Sequence, residues 1–180
     1  MIATLRQLRS QLARLRSGTI PPDELYGLLH QFGESGFIEA KSEIEKYLQH
    51  EDPQLRYIAL NVLTLHWKCT RHRKTCEEFV LTDEDSENRR LGTIGLGALL
   101  EGTQDPEALD LLLQVFRDEE EEWHVRDSAY SAILYILGRP VNEQPSGSRR
   151  LDHATDVNWA HIGLAREIAG RRKNKGAGGE

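Results

Sequence analysis

The chain has 180 residues, 38% hydrophobic and 29% charged, which is too apolar for a disordered chain and suits one domain with a large wet surface. Its net charge of -6 argues against nucleic acid as the partner, because nucleic-acid modules normally carry a basic excess that neutralises phosphates. Two cysteines, Cys69 and Cys76, are too few for a disulfide framework and point to a reducing, cytoplasmic setting; no run approaches the roughly 18 apolar residues of a membrane span.

Ile2, Leu5, Leu8, Leu12 and Leu15 recur at helical spacing and predict a first helix ended by Gly18. Arg6, Arg9, Arg14 and Arg16 lie in this acid-free start, which reads as a helix with a solvated basic face rather than an organelle transit peptide. Pro21 and Pro22, followed by Asp23 and Glu24, open a second helix to about Phe32, broken by Gly33 and Gly36. A third covers Phe37 to about Gln49. Asp52-Pro53 is a start signal, an N-cap followed by proline at the first helical position, for a helix reaching about Trp67. Further helices are expected from about His72 to Leu81, from Asp85-Ser86 to near Gly102, from Asp105-Pro106 to Arg117, and from Glu122 to Leu137. The composition divides the chain into a helical body over 1–138, a Pro/Gly/Ser-rich linker over 139–152, and a C-terminal part over 153–180. That last part holds a helix from about Thr155 to Ala169 and a basic, Gly-rich tail expected to be disordered.

Three segments align on an arginine. In each an acid precedes the arginine by four residues, a small residue follows by three, and an aliphatic residue comes four further on: Asp52, Arg56, Ala59, Leu63; Asp85, Arg89, Gly92, Leu96; Glu122, Arg126, Ala129, Ile133. The arginines are 33 and 37 residues apart. The small residue admits a close helix neighbour, and the acid near the helix start can pair with the arginine at i+4 and extend into a ladder between stacked copies. One helical hairpin cannot bury its own apolar face, so copies must stack.

The phrase Asp-Pro-x-Leu-Arg-x-x-Ala at 52–59, and Asp105-Pro-Glu-Ala-Leu followed by Val125-Arg126-Asp-Ser-Ala129, resemble the HEAT repeat family, including the short repeats of phycobilin lyases. The resemblance covers about residues 36–138; the second copy departs from it at Asn88 and Gly92. It implies an all-α fold, a short right-handed α-solenoid of helical hairpins with atypical capping helices, and a binding surface on the concave side lined by second helices. The alignment puts Ala59, Val62, Leu63 and His66 on the core side. The opposite, partner-facing side is then Tyr57, Asn61, Thr64 and Lys68, next Arg90, Ile94 and Glu101, then Asp127, Ser131 and Leu134, with Tyr130 nearby.

Other constellations are weaker. His66, Cys69, His72 and Cys76 have zinc-ligand types, but Lys68, Arg71, Arg73 and Lys74 crowd them and oppose a cation, so no metal is expected. His50-Glu51 resembles a dipeptide of HEAT-like di-iron hydroxylases, which carry several copies; this chain has one. Gly92, Gly95 and Gly97 run in the wrong order for a dinucleotide loop and read as close helix packing. The acidic run Asp118–Glu122 reads as a solvated loop or helix start, with a grip on a basic partner as the alternative. No cofactor is expected. The expectation is a non-enzymatic, cytoplasmic module that binds another protein as scaffold, adaptor or inhibitor. The alternatives are an accessory to a chromophore or enzyme, bilin-lyase-like, and a nucleic-acid binder like the HEAT-like DNA glycosylases.

Overall fold

A computed structural model describes residues 4–140, 143 and 149–176, and among them it contains helices and no strand. Two compact units divide at His72/Arg73; half of the expected linker over 139–152, like the tail from 177 on, lies outside the described residues.

The first unit opens with α1 (Leu5–Arg16), whose Thr4 makes a capping box with Gln7, and continues with α2 (Pro22–Glu34). Leu8, Leu12 and Leu15 are the buried stripe of α1, at the spacing read from the sequence. Gly33 does not break α2. It lies inside the helix, where an added methyl would stand 2.6 Å from a Val62 methyl, so the residue permits a close approach. The single third helix expected over 37–49 is instead a short α3 (Lys41–Glu45) flanked by 3₁₀ turns at Ile38–Ala40 and Lys46–Gln49.

Asp52 caps α4 (Pro53–Asn61) by accepting from the Gln54 amide at 2.8 Å, and α4 runs into a π turn over Val62–His66. The wider turn gives an i→i−5 bond from Trp67 N to Val62 O and changes the phase of the face. Val62, Leu63 and Thr64 are all buried, and His66, expected in the core, is turned out to solvent against the edge of His30.

The second unit comprises α5 (Arg73–Thr82), α6 (Ser86–Leu99), α7 (Pro106–Arg117), α8 (Trp123–Ile136) and α9 (Trp159–Gly176). Asp85 and Asp105 cap α6 and α7 as their sequence positions predict. Helices α5 and α6 form one hairpin and α7 and α8 the next; α6 lies beside α8, and α9 packs on α7. The last helix starts four residues later than expected, because Asn158 accepts from the Ala160 amide and 153–156 form turns, and it continues into the stretch expected to be disordered. His161, Ile162, Ala165, Ile168 and Ala169 are its buried side.

Packing within the second unit depends on absent side chains. A methyl at Gly92 would stand 2.9 Å from the Cys76 carbonyl oxygen, and one at Gly97 would stand 3.0 Å from the Ala132 Cα. Backbone cannot yield as a flexible side-chain end can. Gly92→Ala or Gly97→Ala is therefore expected to lower the melting temperature, at a net cost of about 1–3 kcal/mol, although alanine is the better helix former. Gly163→Ala, where a methyl meets nothing within 4 Å, should be neutral or stabilising. Thermal unfolding of the three variants checks both directions.

Candidate functional site

The three aligned arginines share a register but differ in partners. Arg56 donates from Nη1 to the carbonyls of His50 and Glu51 at 2.9 and 3.0 Å, and Arg89 does the same to Asp83 and Glu84 at 3.0 and 3.1 Å. Each thereby ties down the loop before its own helix. Arg126 reaches instead from Nε to the Phe116 carbonyl at 3.3 Å.

The acids four residues earlier act differently from the expected pairing. Asp52 and Asp85 cap amide groups of their own helices, and Glu122 sits at the N-cap position of α8 without a side-chain cap bond. Arg89 takes its carboxylate from Glu121, with Nε and Nη2 each at 2.8 Å from a carboxylate oxygen. This is a rung between hairpins. A second rung joins α5 to α7, where Arg73 grips Asp105 at 2.8 and 2.9 Å and also touches Glu77 and Glu107. Arg73 and Glu121 were missed in the sequence, although a signal exists: both rungs span 32 residues.

Burial by itself would raise the Glu121 carboxyl. The Arg89 hydrogen bonds, the Glu122 amide, and the charges of Arg89 and His124 outweigh that and hold it below its ordinary value.

The expected partner-facing residues do not share one environment. Tyr57 and Asn61 are half-buried and Lys68 is exposed, whereas Thr64 is fully buried with its hydroxyl donating to the Leu60 carbonyl. On α6, Arg90 and Ile94 are half-exposed and Glu101 beyond the helix is exposed. On α8, Tyr130 and Leu134 are buried at 1% and 0% exposure, against the expectation. The reason is that α8 packs on α6, α7 and α9, so its apolar arc is wide. Tyr130 also stacks on Phe116, and its hydroxyl accepts from the Asn158 amide at 2.9 Å. Asp127, half-buried, accepts from the Leu151 amide at 2.8 Å and faces His153; its own carbonyl receives the Ser131 hydroxyl.

Residues 151–158 therefore cover that part of α8. The side of α8 that remains outward carries His124, Ser128, Ser131 and Tyr135, the last 36% exposed. It adjoins the outward side of α6 through Glu87, which accepts from Arg90 Nε at 2.8 Å and lies 3.4 Å from His124 Nε2.

Other sequence candidates are engaged locally. His50 Nδ1 accepts from the Asp52 amide. His72 is buried against Glu45, which also pairs with Arg71; burial first, then Arg71 and Lys41, lower its pKa. Cys69 lies close to the Trp67 carbonyl, and burial, reinforced by Glu77, pushes the Cys76 thiol up to about 12. Both thiols are unbridged. Among the described residues no three His, Cys, Asp or Glu side chains group to hold a metal ion, and no helix is long and apolar enough to cross a membrane. Three of the four α1 arginines face acids: Arg9 with Glu39, Arg16 with Glu43, and Arg14, more loosely, with Glu24.

The Arg89–Glu121 rung has a pH signature. Because the folded carboxyl lies below its ordinary value of about 4.5, its contribution is present above that pH and is lost as pH falls through the lowered folded value. Glu121→Gln should flatten this acid limb of the stability profile below about pH 4.5. Arg89→Ala should cost about 1–3 kcal/mol at neutral pH. Melting followed from pH 7 to pH 3 reads both.

A family profile for HEAT repeats matches residues 42–133, just over half of the chain. No curated protein and no solved structure gives a match. Helical hairpins over the residues that the profile spans place the chain in the HEAT repeat family.

Proposed function

We propose that this chain is a non-catalytic protein-interaction module, a scaffold, adaptor or inhibitor in a reducing, cytoplasmic setting. Its partner docks on the outward sides of the second helices. HEAT repeats generally mediate protein–protein interaction, and stacked repeats present extended surfaces for it. The observation that carries the reading is the joined outward side of α6 and α8. There Arg90, Ile94, Ser131 and Tyr135 stay partly accessible, on two helices that meet outward through Glu87 and His124. An arginine, an aliphatic and a tyrosine in one strip form the mixture that anchors protein interfaces. In the first unit, Tyr57 and Asn61 hold the equivalent register on α4 and form a separate candidate surface.

A nucleic-acid role has less support, because three of the α1 arginines already face carboxylates. A bilin-lyase-like accessory role would show as an absorbance change on mixing with bilins, and nucleic-acid binding as salt-sensitive capture of duplex DNA.

The test is capture from extracts of the native host with the full chain and with Arg90→Glu/Tyr135→Ala. The double variant should lose the specifically retained proteins while melting within about 1 kcal/mol of the parent. Identical retention by both chains would overturn the assigned surface. Tyr130→Ala is the contrasting core variant and should cost about 3–5 kcal/mol, as buried aromatic truncations do.

A further inference from the structure

The side of α9 that is buried against the rest of the second unit is apolar at Ile162, Ala165, Ile168 and Ala169. His161 is buried with them, at 9% exposure, and is the one ionisable residue on that side among the described residues. Two of the four apolar members are alanines, so the face that docks α9 on α7 covers little apolar area. A single unfavourable charge weighs heavily on such a face.

His161 is housed as a neutral ring. Its Nδ1 is closed off from solvent and meets no hydrogen-bond partner. A neutral imidazole tolerates this, because one of its nitrogens carries no proton. The imidazolium carries a proton on both, and one of them would be buried without an acceptor. The charges that act on the ring come from outside α9. Arg139, just after α8, is a fixed cation beside it, and the Arg139 Nε is itself buried without an acceptor. Glu143 faces the other ring nitrogen, Nε2, at 3.4 Å, but 40% of its side chain is in water. Burial first, then Arg139, hold the His161 pKa below its ordinary value against the pull of Glu143.

We propose that α9 is an acid-released latch: protonation of His161 lifts this helix off α7 while the hairpins α5/α6 and α7/α8 stay folded. Once α9 is undocked, both ring nitrogens meet water and the charge moves away from Arg139. Opening one terminal helix costs less than separating the close-packed α6 and α8. The docked ring takes its proton at lower pH than the free one. Docking is therefore at full strength above the ordinary histidine value of 6.5 and weakens as pH falls from there through the lowered value. Release uncovers the flank of α7 on which α9 packs. The latch does not rest on the α6/α8 strip, and it acts at higher pH than the Arg89–Glu121 rung. His72 is also buried with a lowered pKa, but it belongs to the first unit.

The experiment is native-state hydrogen exchange of the full chain, read as protection factors from pH 7.5 to pH 5.5. The amides of Ile162, Ala165 and Ile168 are compared with those of α8, so that both sets lie in the second unit. On acidification the α9 amides should lose protection at least about threefold more than the α8 amides. His161→Leu should abolish this difference. Two variants at less buried positions test the same charges without altering the packed face. Arg139→Gln, which removes the neighbouring cation, should shrink the difference, and Glu143→Gln should enlarge it. Equal loss in α8 and α9, constant α9 protection across the range, an undiminished difference in His161→Leu, or shifts of the reverse sign in the two charge variants would each overturn the proposal.

Discussion

Helices α6 and α8 approach so closely that a methyl on Gly97 would lie 3.0 Å from the Ala132 Cα, and much of the second unit follows from that contact. A single helical hairpin leaves one apolar side in water, so each second helix needs a neighbour on its flank. Small residues set how near that neighbour comes. On α6 glycines serve two flanks, Gly92 toward α5 and Gly97 toward α8. Once both flanks are occupied, the strip through Glu87, Arg90 and Ile94 stays partly open to solvent. The surface available to a partner is thus what close packing leaves over.

Charge then secures the layers at their ends. The loops before α4 and α6 bring carbonyl groups to places where the helices cannot bond them, and Arg56 and Arg89 donate to those carbonyls from matching positions. A guanidinium has five donors, so Arg89 can hold two carbonyls with one edge and the Glu121 carboxylate with the other. The acid four residues before each arginine is better placed at the helix start, where the free amide groups lie. Helix capping and arginine bridging thus draw on different acids, which explains why Asp85 caps α6 while Glu121, from the next hairpin, completes the rung.

The order of helices and most of their limits were legible because their signals are local. Asp52-Pro53 and Asp105-Pro106 mark helix starts by chemistry confined to two or three residues. The broken third helix and the π turn after Asn61 were not legible, since both result from how the chain fits its neighbours. The candidate surface was half legible. Arg90 and Ile94 came from the repeat register, but helical periodicity gives only the direction of a side chain and not the width of the arc that neighbours cover. Tyr130 and Leu134 were misplaced for that reason: α8 meets three helices, and a segment distant in sequence folds over it. Tyr135, one residue beyond Leu134, is the outward residue instead.

That covering segment shows how the stack ends. A terminal repeat must replace the missing next layer with something that tolerates water on its far side. Here Leu151 and Val157 fill the apolar positions, while Asp127 and Tyr130 bind the amides of Leu151 and Asn158. Arg149 and Asp156 clip the segment to itself, and Trp159 donates to the His153 carbonyl as α9 begins. The cap satisfies backbone groups as well as apolar area, so it can close α8 without a full hairpin. It stops short of the outward strip, where Ser131 and Tyr135 remain partly accessible. The cap and the proposed partner strip thus lie on different sides of one helix. A partner bound across Ile94 and Tyr135 would leave the cap in place, and the stability of this end would not depend on the partner being present.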